Sequence, residues 1–267
     1  MEQQDNKIYS WDYLTHHNPW DSMFNHDAHS LLISMACLDG ATFIQKDDEP
    51  VILNHYNRRG GSESLQVDLF PEPYRGNLKN PRIVILSLNP GYVPRLNRDL
   101  FNMLDIQFKE DFLRHLRDNV LLKGDGRLVF NNVDNVIGDG YWYNKLGELM
   151  TDSKKEYGIS DDDVLSRIAL IQYVPYFSEK LTSWTVGEHL KTQLYARKHI
   201  RRLLHAPEKC IFLVMRAEKY WRTLIGEEME DGRFKDRFII NKHYRVQSIS
   251  KGNLGDDNYS RILNNLR

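Results

Sequence analysis

The chain has 267 residues, enough to bury a substantial hydrophobic core as one large domain or as two small ones. Its composition, 41% hydrophobic and 27% charged without low-complexity tracts or repeats, argues against a disordered or a solenoid protein. Because 36 Lys and Arg residues nearly balance 37 Asp and Glu residues, the chain is not a strongly basic DNA-binding body, and any nucleic-acid contact requires a local patch.

The cysteines and the amino terminus indicate the compartment. Cys37 and Cys210 are far apart and belong to no Cys-x-x-Cys pair, which argues against a disulfide framework, an iron–sulfur cluster and a cysteine zinc site. The first residues contain no basic segment followed by an apolar one, and no window approaches the roughly 18 apolar residues of a membrane span. We therefore expect a cytoplasmic protein without a membrane partner, and we also expect it to be a monomer.

The amino-terminal part of the chain predicts a helix and then a turn-rich stretch. Asn18 followed by Pro19 is a typical helix start, and apolar residues at helical spacing continue from Met23 toward Gly40. After the segment from Lys46 to Pro50, a polar stretch rich in turn formers extends to residue 76. We interpret residues 1–70 as an N-terminal helical extension that packs on a core domain of residues 71–267.

The core domain alternates predicted strands with predicted helices. Short, continuously apolar runs are typical of strands buried on both faces of a parallel sheet. Such runs cover residues 83–88, 168–174, 210–215 and 244–249. Helical patterns between them cover residues 105–120, 141–150, 185–204 and 217–225. This alternation predicts an α/β fold of three layers, α/β/α, around a central four-stranded parallel sheet.

Ligands of open parallel sheets bind outside the carboxyl ends of the strands, where loops and helix amino termini converge. Polar or aromatic residues follow each of the four predicted strands there: Asn89, Pro90, Gly91 and Tyr92, then Gln172 and Tyr173, then Arg216, then Ser250 and Asn253. Because no carboxylate, His or Cys stands directly at these ends, nucleophilic triads and two-metal sites fit poorly. The pattern favours chemistry based on positioning and on donors aimed at developing negative charge.

The sequence Ser87-Leu88-Asn89-Pro90-Gly91 resembles motif 1 of the uracil-DNA glycosylase superfamily, in particular its mismatch-specific and single-strand-selective branches. That motif reads Gly-x-Asn-Pro-Gly, so Ser87 replaces its leading Gly. The preceding segment 71–76 is also similar to that of bacterial glycosylase-like proteins of unassigned activity. The resemblance covers roughly residues 74–267 in the order of elements and implies the three-layer fold of that superfamily.

The resemblance implies a role for each matching residue. Asn89 would position the attacking water, and Phe101, which follows Asn89 by 12 residues, would stack on the flipped base together with Tyr92. Gln172 would read the base edge, with Tyr173 as a competing choice for that position. Pro90 and Gly91 complete the predicted base-binding set, and the implied chemistry needs no metal or cofactor.

Motif 2 of the superfamily is His or Asn followed by Pro-Ser, and it contacts the departing base. Segment 248–253 is the candidate here, but it lacks both the His or Asn and the Pro. Ser250, Asn253 and Arg216 are the donors that remain for the base. Two hypotheses follow: a DNA repair hydrolase that removes uracil or another modified base from single- or double-stranded DNA, or a catalytically silent module that binds nucleic acid or a nucleotide.

Simpler interpretations stand beside these. Asn, Pro and Gly also form ordinary turns, Phe101 fits a core position, and Gln172 could satisfy backbone groups at a strand end. A hydrolase of free nucleosides is a third, weaker class.

Overall fold

The computed structural model describes residues 10–24, 43–58, 65–91, 105–124, 126, 128, 141–181, 189–241, 243 and 248–267. The chain divides into two compact units. Unit 1 comprises residues 1–74, 88–124 and 172–199, and unit 2 comprises residues 75–87, 125–171 and 200–267. The interpretation of residues 1–70 as a separate extension stays a prediction. No described helix is long and apolar enough to cross a membrane.

Four helices belong to the described part of unit 1 before residue 172. They are α1 (Trp11–His16), α2 (Asp21–Phe24), α3 (Glu49–Arg58) and α4 (Ile106–Val120). The predicted start of α4 is confirmed, since the Asp105 side chain accepts a hydrogen bond from the Phe108 N–H at 2.9 Å and caps the helix. Only α2 represents the helix predicted after Pro19, because residues 25–42 lie outside the described part.

The sheet has five described strands rather than four, in the order β1-β3-β2-β4-β5. They are β1 (Tyr74–Gly76), β2 (Ile83–Ser87), β3 (Ile168–Gln172), β4 (Ile211–Val214) and β5 (Phe238–Ile240). The pairs β2–β4 and β4–β5 are parallel. The Asn77 N–H donates to Ile168 O while the Gln172 N–H donates to Pro73 O, so β1 is antiparallel to β3. The prediction of a purely parallel four-stranded sheet was therefore wrong in its edge strand, although the α/β class is confirmed.

The fourth predicted strand needs a correction. The strand that pairs with β4 on the side away from β2 is β5, whereas residues 244–247 of the predicted run lie outside the described part and 248–249 are not in a strand. Arg237, immediately before β5, donates through its guanidinium to the carbonyls of Leu203 (3.1 Å), Leu204 (2.8 Å) and Cys210 (2.9 Å). These contacts hold the residue before β5 close to Cys210, which directly precedes β4. The three-residue apolar run of β5 is too short to carry much sequence signal.

The remaining helices are α5 (Tyr141–Tyr157), α6 (Asp161–Ser166), α7 (Lys191–His205), α8 (Glu218–Glu230), α9 (Lys251–Leu254) and α10 (Asp256–Asn265). In unit 2, one face of the sheet packs with residues of α5, α6, α9 and α10 in a single hydrophobic cluster. That cluster includes Ile85, Leu170, Leu213, Leu149 and Ile262, none more than 1% exposed. Residues of the opposite sheet face are also buried, as the continuous apolar runs predict.

Gly76 closes β1 in a conformation that only glycine adopts readily. Its φ is +85°, and a Cβ at this position would lie 2.4 Å from the Ile168 carbonyl oxygen. We expect Gly76→Ala to lower the free energy of unfolding by about 2–4 kcal/mol, since the backbone strain and the overlap add. Gly147→Ala is the control, because Gly147 lies in α5 with open space around it. This substitution should raise the free energy of unfolding by roughly 0.5–1 kcal/mol. Urea unfolding measures both, and equal stabilities would contradict the prediction.

Candidate active site

The predicted motif lies where the strand order of the sheet reverses. β2 lies between β3 and β4, so the chain leaves β2 for a strand on one side and later crosses to the other side. The carboxyl end of such a strand is the preferred ligand position in open α/β sheets. Leu88, Asn89, Pro90 and Gly91 follow directly from this end.

In unit 1, residues 88–91 lie against the segment that follows β3. The Val174 N–H donates to Leu88 O at 2.7 Å, and the Ser178 N–H donates to Pro90 O at 3.3 Å. Gly91 and Ser178 also form an isolated bridge. Two of the strand-end segments that the sequence predicted as site components are thus brought together.

The Asn89 side chain has a defined orientation. Its Nδ2 donates to Pro90 O at 2.8 Å and to Ser178 Oγ at 2.9 Å. A carbonyl oxygen only accepts, so the amide nitrogen must face Pro90 and both of its hydrogens are used. No described residue donates to Oδ1. Asn89 is partly exposed between the buried residues Leu88 and Pro90, so its amide oxygen is suited to accept a hydrogen bond from a water or a ligand.

Ser178 is a site residue that sequence reasoning missed. It is 1% exposed and lies 89 positions from Asn89, so no local pattern connects the two. The only sequence signal is its place at the end of the polar and aromatic segment after β3.

A buried network anchors this segment. The Tyr176 hydroxyl donates to Asp48 Oδ2 at 3.1 Å and accepts from the Gln45 N–H at 3.2 Å. Asp48 also accepts from Thr192 Oγ1 at 2.6 Å and from the Thr192 N–H, in the first turn of α7, at 3.2 Å. Asp48 therefore joins the loop of Ser178 to the amino terminus of α7.

Burial determines the protonation behaviour of this network. Asp48 is fully buried, and desolvation raises the pKa of its carboxyl even though hydrogen bonds from Thr192 and Tyr176 oppose the rise. Burial and the neighbouring Asp48 raise the pKa of the Tyr176 phenol as well. The phenol therefore stays a hydrogen-bond donor. No sequence pattern indicated a role for Asp48.

Gln172 ends β3 and is 6% exposed. Its backbone N–H donates to Pro73 O at 2.9 Å, but its buried Oε1 accepts no hydrogen bond from the described residues. A buried acceptor without a donor typically costs about 1–3 kcal/mol, which a ligand N–H would recover. Its Oε1 is therefore not used by the described backbone around it.

Tyr173 is 2% exposed, and its hydroxyl lies 3.4 Å from His189 Nδ1. When the phenol donates, Nδ1 is the unprotonated nitrogen and Nε2 carries the hydrogen. His189 is thus a second polar residue that sequence reasoning missed. It is separated from Tyr173 by 16 positions and precedes α7.

Three predicted site residues lie in unit 2. Arg216 is exposed directly after β4 and Met215. Ser250 precedes α9 and makes no side-chain capping bond, and Asn253 Nδ2 donates to Ser248 O at 2.8 Å. Tyr92 and Phe101 lie outside the described residues, so their stacking role stays a prediction.

No group of three or more His, Cys, Asp or Glu side chains that could hold a metal ion occurs in the described part of the chain. No family model matches the chain, and no curated protein or solved structure matches it.

Proposed function

We propose that the protein is a DNA N-glycosylase that removes uracil or another modified base by base flipping and water attack. The observation that supports this best is the Asn89 amide, whose two hydrogens are used by Pro90 and Ser178. Its Oδ1 is then the atom left to accept a hydrogen bond from water. The motif resemblance at 87–91 and the position at the carboxyl end of β2 agree with this role.

Chemistry would proceed on an extruded nucleotide, because a base within the duplex is out of reach. Asn89 has no titratable proton, so it orients the water rather than deprotonating it. The water oxygen bonds to C1′ of the sugar as the bond between C1′ and the base nitrogen breaks. The base leaves with the bonding electron pair and takes up the proton that the water releases.

The base would be recognised by its edge. Gln172 Oε1, buried and without a described donor, fits an N–H group of the base. Tyr92 and Phe101 would supply stacking faces for the flipped base.

A catalytically silent module that binds nucleic acid or a nucleotide is the second candidate. Asn253 was proposed as a donor to the departing base, yet its Nδ2 donates to Ser248 O, in the loop that precedes α9. An amide engaged in this way offers less to a developing anion, and one missing donor of this type costs ~10²–10³ in rate.

An abasic-site assay tests the proposal. The purified protein is incubated with single- and double-stranded oligonucleotides that carry uracil, hypoxanthine, xanthine or hydroxymethyluracil, and alkali then cleaves the abasic sites. Strand breaks at the modified base are expected. An absence of breaks on every substrate, with retained oligonucleotide binding, would replace the glycosylase by the silent module. An absence of both would exclude the two candidates together.

Ser178→Ala removes one acceptor from the Asn89 amide and lets the side chain rotate. We expect the single-turnover rate of base removal to fall about 2- to 10-fold, the equivalent of one ordinary hydrogen bond. Ser153→Ala is the matched control, because Ser153 is a fully buried serine whose Oγ bonds to no described residue. If both variants keep the native rate, Ser178 does not position Asn89.

A further inference from the structure

The start of α5 in unit 2 presents an exposed aromatic side chain that contacts a partly buried neighbour. Tyr141 is 41% exposed, and its ring contacts Trp142 edge to face at 5.2 Å and 90°. Trp142 is partly buried and packs against the hydrophobic cluster of the unit. The Tyr141 ring is therefore held by the core while part of it faces solvent.

Two cations interact with this tyrosine. Lys145, one turn later, places its Nζ 5.3 Å from the centroid of the Tyr141 ring. Arg216 is exposed after β4, and its charge opposes the rise in the pKa of Tyr141 that burial causes. Tyr141, Lys145 and Arg216 are named here the Tyr141 cluster.

The surroundings of the cluster are ordered by backbone contacts. The Ile249 N–H donates to Lys145 O at 2.9 Å, and the Lys251 N–H donates to Glu148 Oε1 at 2.8 Å. The Lys251 ammonium also contacts Asp152 at 3.3 Å. Asp152 is thus paired with the Lys251 ammonium, Glu148 accepts from the Lys251 backbone, and segment 249–251 lies along the same helix.

We infer that the Tyr141 cluster binds single-stranded nucleic acid, with an unpaired base stacked on Tyr141 and phosphates beside Lys145 and Arg216. Proteins bind single strands with aromatic rings next to cations, because every base can stack on a ring and every nucleotide carries a negative phosphate. A paired base stays stacked in its duplex and cannot reach the Tyr141 ring, so the cluster favours an unpaired strand. Because the net charge of the chain is only −1, binding of nucleic acid requires a local positive patch, and Lys145 and Arg216 provide two positive charges.

The inference shares with the proposed function the premise that nucleic acid is the partner, but it requires no chemistry at Asn89. An oligonucleotide of unmodified bases therefore tests the cluster without base removal. If variants of the Tyr141 cluster bind the oligonucleotide normally while abasic sites still form, only the inference about the cluster is rejected. If the cluster binds the oligonucleotide and no abasic site forms, only the proposed glycosylase activity is rejected.

The experiment measures binding of fluorescein-labelled oligothymidylate of roughly 16 nucleotides by anisotropy over a range of salt concentrations. Tyr141→Leu keeps apolar bulk but removes the ring, and we expect about 5- to 150-fold weaker binding, the loss of one stacked base. The double variant Lys145→Gln with Arg216→Gln should reduce the slope of log K against log salt by about 1.4, the value for two phosphates of a single strand.

Tyr157→Leu is the matched control at the opposite end of α5, about 24 Å away, where Arg267 lies 5.0 Å from the ring centroid. It should bind like the native protein. The inference is overturned if the native protein does not bind the oligonucleotide, if Tyr141→Leu and Tyr157→Leu bind equally, or if poly-glutamate competes as well as the oligonucleotide does. The last result would mean that the cluster recognises charge alone, as an acidic peptide site does.

Discussion

Asn89→Ala is expected to lower the single-turnover rate of base removal by about 100-fold or more while oligonucleotide binding changes little. The variant loses the oxygen that would orient the attacking water, and displacing a reacting group by about 1 Å can cost a factor on the order of 100. In the proposed complex, binding is maintained because Gln172 and the stacking residues would still contact the base. Alkaline cleavage of uracil-containing oligonucleotides measures the rate, and anisotropy measures the binding.

Asn89→Asp tests whether the orientation of the side chain matters, because Asp has nearly the same shape as Asn but no amide hydrogens. A carboxylate has no hydrogens to donate to Pro90 O, so two acceptors would face each other and the side chain would turn away. We expect it to be impaired like the alanine variant. Asn77→Ala serves as the control, since Asn77 also donates from Nδ2 to a backbone carbonyl, that of Ser166 at 2.9 Å, but lies in unit 2. A native rate for Asn89→Ala would remove Asn89 from the mechanism.

Asp48→Ala is expected to lower the free energy of unfolding by on the order of 3 kcal/mol. Tyr176 and Thr192 would lose their common acceptor inside unit 1, and each buried donor left unpaired costs about 1–3 kcal/mol. Urea unfolding measures the change. Asp47→Ala is the control, because the neighbouring Asp47 side chain is exposed and should change stability by less than about 0.5 kcal/mol. Equal effects of the two substitutions would show that the network does not stabilise the fold.

The same residue predicts a pH dependence. Burial raises the pKa of the Asp48 carboxyl above its usual 3.8, so at pH values between the unfolded and the folded pKa the folded chain holds a proton that the unfolded chain has released. The free energy of unfolding therefore falls as the pH rises from the unfolded pKa to the folded pKa of Asp48. The stabilising contribution of Asp48 protonation is fully present only below the unfolded pKa. Asp48→Asn does not titrate. We expect the stability of the native protein relative to Asp48→Asn to decrease as the pH rises above about 4. A difference that grows with pH would contradict the raised pKa.

The sequence by itself determined the parts of the fold that have local physical causes. The runs that became β2, β3 and β4 are continuously apolar because both faces of these strands are buried. Asp105 predicts the start of α4 because its carboxylate caps the first turn. The polar residues after β2 and β3 were also predicted as neighbours, because parallel strands end at one edge of the sheet.

Only the tertiary structure decided which side chains join these parts. Ser178 lies 89 positions from Asn89, and Thr192 lies 144 positions from Asp48, so neither pairing leaves a periodic or local pattern. The antiparallel β1 and the short β5 likewise depend on contacts made elsewhere, the carbonyl of Ile168 for one and Arg237 for the other. Apolar periodicity and capping act over a few residues, whereas hydrogen-bond partners of a site are selected by the folded chain, and that is why the strand ends were predictable and their partners were not.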